Sequence, residues 1–137
     1  MGLKEGIYVR SDDGYIFKIK ELLEKGKYND SDNKIVQRFR IDGMYQKNDD
    51  YIETDYMYSD WVIKASYNII DLIEVGDVIK FDITDTDNYA DIQGYNCWEI
   101  SCEEELNRVK EMIEMESAKL ISIVTKERFE SISYKVD

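Results

Sequence analysis

A chain of 137 residues with 30 acidic and 18 basic side chains carries a formal charge of −12. That balance excludes binding DNA, RNA or an anionic membrane through a basic surface, because such affinity comes from neutralising phosphates. Histidine is absent, as are glycine-rich phosphate loops, nucleophile elbows and paired metal-ligand motifs, so neither an enzyme nor a cofactor is expected.

The length fits one domain over residues 1–137, long enough to bury about two thirds of its unfolded surface. Cys97 and Cys102 are the only cysteines, too few for a disulfide framework or a zinc site. The opening Met1-Gly2-Leu3-Lys4-Glu5 has no apolar signal region, and no run of residues is apolar enough to span a bilayer; cytoplasmic residence is the expectation. Eleven tyrosines stand against four phenylalanines and two tryptophans. Tyr buries its ring while its hydroxyl stays wet, which suits the rim of a β core or an aromatic surface.

In chain order, Ile7–Arg10 and Tyr15–Ile19 predict a hairpin across Ser11-Asp12-Asp13-Gly14, a turn that favours positive φ. Residues 20–25 either prolong its second strand or form a helical turn ending at Gly26. Residues 29–33 read as a polar loop, and 35–41 as a third strand before Asp42-Gly43. From 48 to 63 there is no Lys or Arg. Asp49, Asp50, Glu53, Asp55 and Asp60 interleave there with Tyr51, Tyr56, Tyr58 and Trp61.

Residues 61–65 read as strand, 66–73 as a single helical turn, and 78–83 as strand after Glu74-Val75-Gly76-Asp77. The window 81–107 again lacks basic residues and holds Asp82, Asp85, Asp87, Asp91, Glu99, Glu103, Glu104 and Glu105. Asp85-Thr86-Asp87 resembles the start of a calcium loop, but Tyr89 and Ala90 stand where a ligand and the glycine belong. No metal is expected, and the segment around Asp85-Thr86-Asp87 reads as a solvated acidic loop. Ser101-Cys102-Glu103-Glu104 forms a capping box, and Leu106, Val109, Met112 and Ile113 make one stripe of a helix over about 103–117. Residues 120–124 read as strand, Thr125 caps a short helix through Phe129, and 132–136 read as a last strand. The fold class predicted is α+β: a twisted antiparallel sheet or small β-barrel with one main helix and a short C-terminal helical turn.

Three segments resemble small phage and prophage proteins of Gram-positive bacteria. They are Gly6-Ile7-Tyr8-Val9-Arg10 with Gly14-Tyr15-Ile16, then residues 68–77, then 122–130 with 134–136. Together they cover about a third of the chain, and the resemblance implies a family without implying a chemistry. The acidic, Tyr-rich stretch 48–60 and the acidic stretch 82–105 depart from that pattern.

Size, charge and lack of catalytic motifs are similar to those of phage-encoded CRISPR and restriction inhibitors. Carboxylates on alternate strand residues lie about 6.6 Å apart, near the spacing of every second phosphate on one DNA strand. Glu53 and Asp55 share such a face if 51–57 is extended, and Glu103, Glu104 and Glu105 form a second cluster. Tyr51, Tyr56, Tyr58 and Trp61 can stack where bases would or anchor an interface. The expected function is therefore inhibition of a defence nuclease by filling its basic nucleic-acid groove, with Asp49, Asp50, Asp60, Asp85 and Asp87 completing the contact set. The alternative is a non-catalytic interaction, regulatory or assembly protein of a phage whose partner binds no nucleic acid.

Overall fold

The computed structural model describes residues 2–26, 35–46, 53–83 and 94–132. These fold as α+β, with eight strands in two antiparallel sheets, one main helix and one short helix. The chain divides into two compact units, Met1–Leu72 and Ile73–Asp137.

The first unit is a five-stranded sheet in the order β4-β3-β2-β1-β5. Its strands are β1 (Tyr8–Ser11), β2 (Ile16–Gly26), β3 (Val36–Tyr45), β4 (Thr54–Tyr58) and β5 (Val62–Ser66). The predicted hairpin is β1–β2, with Val9 opposite Phe17. Gly14 supplies the positive φ, at +90°, and its N–H donates to the Ser11 carbonyl at 3.1 Å. Glu21–Gly26 continue as strand rather than as a helical turn. β2 is long enough to pair with β1 through its first residues and with β3 through the rest. Register shifts between Ile19 and Glu21 and between Leu22 and Lys25 bend it along the way.

Ile7, Val9, Ile19, Phe39, Ile41, Tyr45 and Met57 are buried together as the core of this unit. Each such side chain contributes on the order of 1.5–3 kcal/mol through the hydrophobic effect. Arg10 is also fully buried, and its Nη1 donates to the Leu72 carbonyl at 2.9 Å. That bond ties β1 to the 3₁₀ turn Ile69–Leu72. Ser66 and Asn68 shape the approach to the same turn: Ser66 Oγ donates to Asp71 Oδ2 at 2.7 Å, and Asn68 Oδ1 accepts from the Ile70 N–H at 3.2 Å.

The second unit is a three-stranded sheet in the order β7-β6-β8, from β6 (Val78–Ile83), β7 (Gly94–Glu99) and β8 (Ala118–Val124). Period-2 alternation buries Ile79, Phe81 and Ile83. Helix α1 (Glu103–Glu114) contributes Leu106, Val109 and Met112 to the buried set, as the predicted stripe requires. β7 falls where the sequence reading assigned no element, and six consecutive residues of it pair with β6, from Val78↔Glu99 to Ile83↔Gly94. The acidic loop expected around Asp85–Asp87 lies outside the described residues.

Two helix ends also differ from expectation. The N-cap of α1 is Cys102, and it makes no side-chain cap bond. It is Glu105, not Glu104, that folds back, accepting the Ser101 N–H at 2.9 Å. At the other end the helix stops at Glu114. Ser117 N–H bonds to Met112 O and Glu116 N–H to Ile113 O, with Glu116 in the left-handed region at φ 61°, the paired bonds of a Schellman stop. Thr125 caps α2 (Lys126–Ile132) as predicted, accepting the Arg128 N–H at 3.3 Å. That helix includes Ile132, the first residue of the expected last strand; residues 133–136 lie outside the described residues, as does the polar loop 29–33. Among the described residues neither sheet closes on itself, so the barrel alternative does not hold.

Asp77 organises this unit. It is fully buried, and Oδ2 accepts the Glu74 N–H at 2.8 Å while Oδ1 accepts the Lys126 N–H at 2.9 Å. The same turn is held by Gly76 N–H to Ile100 O at 2.7 Å and Ile100 N–H to Asp77 O at 2.8 Å. One carboxylate thus joins the turn before β6 to the first turn of α2, where unpaired N–H groups favour an anion. Gly76 sits at φ +101°, and a Cβ there would lie 3.0 Å from Lys126 Cδ. Asp77→Ala leaves two N–H groups without their acceptor and should lower unfolding free energy by about 2–4 kcal/mol. Gly76→Ala should lower it by about 1–3 kcal/mol through backbone strain. Urea denaturation followed by circular dichroism measures both.

Candidate partner-binding surface

β3 and β4 build the surface that holds most of the described candidate residues. Their register sets Arg38 opposite Tyr58, Phe39 opposite Met57 and Arg40 opposite Tyr56. Phe39 and Met57 are buried, so the alternation of the strand places Arg38 and Arg40 with Tyr56 and Tyr58 on the opposite side. Arg40 lies between two acids: Nη1 is 3.1 Å from Glu21 Oε2 and Nε is 3.4 Å from Asp55 Oδ2. Arg38 Nη2 is 3.2 Å from Glu24 Oε1, and its guanidinium carbon is 4.9 Å from the centre of the Tyr56 ring. Two cross-strand triads result, Glu21–Arg40–Asp55 and Glu24–Arg38–Tyr56.

The rings continue from there toward the core. Tyr56 and Tyr58 meet edge to face at 5.9 Å, and Tyr58 and Trp61 at 4.8 Å. Trp61 stacks on Tyr45 at 5.3 Å, and Tyr45 meets Tyr15 edge to face at 4.8 Å. Such pairs contribute about 0.5–1.5 kcal/mol each beyond burial. The short 3₁₀ turn Ser59–Trp61 holds the middle of this row in place. Ser59 Oγ accepts the Gln37 N–H at 2.9 Å, and the Trp61 carbonyl accepts the Asp12 N–H at 3.0 Å. Asp60, in the same turn, is exposed.

Tyr45 anchors the inner end. It is 1% exposed, and its hydroxyl donates to Asp13, 2.9 Å from Oδ1 and 3.0 Å from Oδ2. Ser11 Oγ donates to the same carboxylate at 2.6 Å and accepts the Tyr15 N–H at 2.9 Å. Burial, then the negative charge and hydrogen bond of Asp13, then the charge of Asp12, push the Tyr45 phenol far above its ordinary range; the Ser11 hydroxyl opposes them weakly.

Of the predicted site residues, Asp55, Tyr56, Tyr58, Asp60 and Trp61 lie together in this unit. Glu53 precedes β4 and is exposed, while β4 itself begins at Thr54. The extended backbone assumed for Glu53 and Asp55 is therefore present from Thr54 onward. Asp55 is no bare carboxylate, because Arg40 holds it. Glu103, Glu104 and Glu105 belong to the second unit, at the first turn of α1. Two of them, Glu103 and Glu104, are exposed, while hydrogen bonds from Ser101 hold Glu105 below the usual carboxylate range. Asp49, Asp50, Tyr51, Asp85 and Asp87 lie outside the described residues.

Beside Glu105 runs a hollow of about 430 Å³ lined by Cys97, Trp98, Glu99, Glu105 and Arg108. Both cysteines are free and exposed. Among the described residues no group of three or more Cys, Asp or Glu is placed to hold a metal, and no helix is long and apolar enough to cross a membrane. Glu21, Glu24, Arg38, Arg40 and Tyr45 are the surface and anchor residues that the sequence reading missed. The two arginines carry a signal in retrospect, since they alternate with Phe39 and Ile41 at the period of a strand.

The chain matches no protein-family model, no curated protein and no solved structure.

Tyr45→Phe removes the bonds to Asp13 and should lower stability at neutral pH by about 1–2 kcal/mol. The native protein holds the Tyr45 proton more tightly than the unfolded chain does. Its contribution is thus complete below the ordinary tyrosine pKa of about 10 and is lost as pH rises above it. Urea midpoints across the alkaline range should fall less steeply in Tyr45→Phe than in the parent protein.

Proposed function

We propose that the protein is a non-catalytic inhibitor, phage-encoded and acting in the host cytoplasm, that occupies the basic nucleic-acid groove of a bacterial defence nuclease such as a CRISPR effector. The observation that carries this reading is the ordered row of partly exposed rings, Tyr56, Tyr58 and Trp61, set among the exposed carboxylates Glu53, Asp55 and Asp60. Rings in fixed edge-to-face geometry give contact area at little entropic loss and serve as interface anchors. Carboxylates around them steer a basic partner into register and repel nucleic acid and acidic proteins. Glu103 and Glu104 add exposed charge of the same sign in the other unit.

The pairing of Asp55 with Arg40 refines the mimicry. The ladder on β2–β4 alternates acid, guanidinium and ring, so it is not a continuous row of phosphate substitutes. Bulk charge brings the partner in, and the ring row fixes its position.

A second reading has its own observation. Large apolar side chains are left exposed in both units, among them Ile35 at 70%, Met44 and Ile63 in the first and Met115 at 64%, Ile121 and Phe129 in the second. Scattered exposed apolar residues are ordinary, but this many also suit a phage interaction or assembly protein whose contacts are hydrophobic.

The two readings separate in one binding experiment. Tagged protein is used to capture partners from bacterial lysate, and the bound fraction is challenged with rising salt and then with duplex DNA. The groove-filling reading expects a nucleic-acid-binding nuclease that salt and DNA both release, and whose activity the protein inhibits less as salt rises. A partner indifferent to both challenges, or recovery of this chain alone, supports the assembly reading and contradicts the first.

A further inference from the structure

The hollow of about 430 Å³ in the second unit takes its walls from β7 and α1, and it falls in the size range of small-ligand clefts. Among the described residues β7 is an edge strand of its sheet. Side chains from both its faces therefore reach the hollow, Cys97 and Glu99 from one and Trp98 from the other. Helix α1 adds Glu105 and Arg108, three residues apart and so neighbours on its surface. Buried Phe81 meets the Trp98 ring edge to face at 4.7 Å, which fixes the indole from the core side.

The charges on these walls are not used up within the protein. Among the described residues neither the Glu99 carboxylate nor the Arg108 guanidinium has an ion-pair partner. Glu105 is kept ionised by the hydrogen bonds from Ser101. A bare cation entering the hollow meets Arg108, and a bare anion meets two carboxylates, so each is opposed by like charge. A molecule that carries both charges finds a partner for each.

We infer that this hollow is a binding site for a small zwitterion, a free α-amino acid with an apolar side chain. Its carboxylate pairs with Arg108, its ammonium with Glu99 and Glu105, and its side chain lies against Trp98. A guanidinium suits a carboxylate because its planar fork can bond both oxygens. An ammonium is a compact charge with three donors, which two carboxylates can share. The site lies wholly in the second unit and does not rest on the ring row of β4.

The test uses the full chain and three small molecules of similar shape: L-leucine, leucinamide, which lacks the carboxylate, and isocaproate, which lacks the ammonium. Indole N–H signals in NMR report binding, and mass spectrometry follows how fast iodoacetamide alkylates each cysteine. Leucine should move the Trp98 signal and leave Trp61 in place. It should slow alkylation of Cys97, which lines the hollow, and not of Cys102, which does not. It should bind about fivefold more tightly than either analogue, the upper range for an exposed charge pair. Arg108→Gln should remove its advantage over leucinamide, and Glu99→Gln should narrow its advantage over isocaproate. Both variants change exposed groups and should keep the parent's circular dichroism. If leucine leaves Trp98 unmoved up to its solubility limit, or slows both cysteines alike, the site is wrong. If the analogues bind as tightly as leucine, the zwitterion is wrong even though the hollow is occupied.

Discussion

The fold must be built from a chain that has no proline, two free cysteines and a formal charge of −12. Its turns therefore lack both the rigid φ of proline and any covalent staple, while like charges repel across the molecule. The structure meets this constraint by using carboxylates as hydrogen-bond acceptors at the turns and, at Asp42, between β2 and β3. Asp13 receives the hydroxyls of Ser11 and Tyr45, Asp42 receives the Lys18 N–H, Asp71 receives Ser66, and Asp77 receives two backbone N–H groups. A carboxylate bonded in this way is stabilised where it stands, and charge-assisted bonds are stronger than neutral ones. Part of the acidity is therefore part of the scaffold.

The rest of the acidity faces solvent, and it is not uniform. Asp55 and Glu21 share Arg40, and Glu24 holds Arg38. Exposed pairs like these contribute little stability, on the order of 0–1 kcal/mol each. Their effect is to fix two arginines over β3 and to align the ring row on β4. Glu53, Asp60, Glu103 and Glu104 are among the carboxylates that stay exposed. This division of labour gives the proposed function its geometry, in which rigid rings are held by the scaffold and a few carboxylates are left for the partner.

The strands with strong local patterns were legible in the sequence. The hairpin at Asp13-Gly14, the alternating Val78–Ile83 strand and the stripe of α1 all appear where the residues predict them. What escaped was set by tertiary contact. The strand β7, Gly94–Glu99, reads as polar and acidic alone, and only its six-residue register with β6 makes it a strand. The choice between strand and helical turn left open at residues 20–25 was decided by pairing with β3. Helix α1 starts at Glu103 as expected, but its cap differs, because Cys102 takes the N-cap position and Glu105, rather than Glu104, reaches the Ser101 N–H. In the candidate surface, the acids and rings could be read off directly. The arginines that hold them could not, because an ion pair between β3 and β4 depends on register, which no local pattern specifies.

The division between scaffold acids and surface acids is tested most directly by comparing two fully folded-state substitutions sets in urea denaturation. One set changes Glu53, Asp60, Glu103 and Glu104 to their amides, and the other changes Asp13, Asp42, Asp71 and Asp77 to Asn. The surface set should unfold at the same urea concentration as the parent or slightly higher, since it only relieves repulsion. The scaffold set should unfold at a much lower concentration, because it weakens the bonds that hold the turns and join β2 to β3. Equal shifts in the two sets would contradict the account and leave the acidity as undifferentiated surface charge.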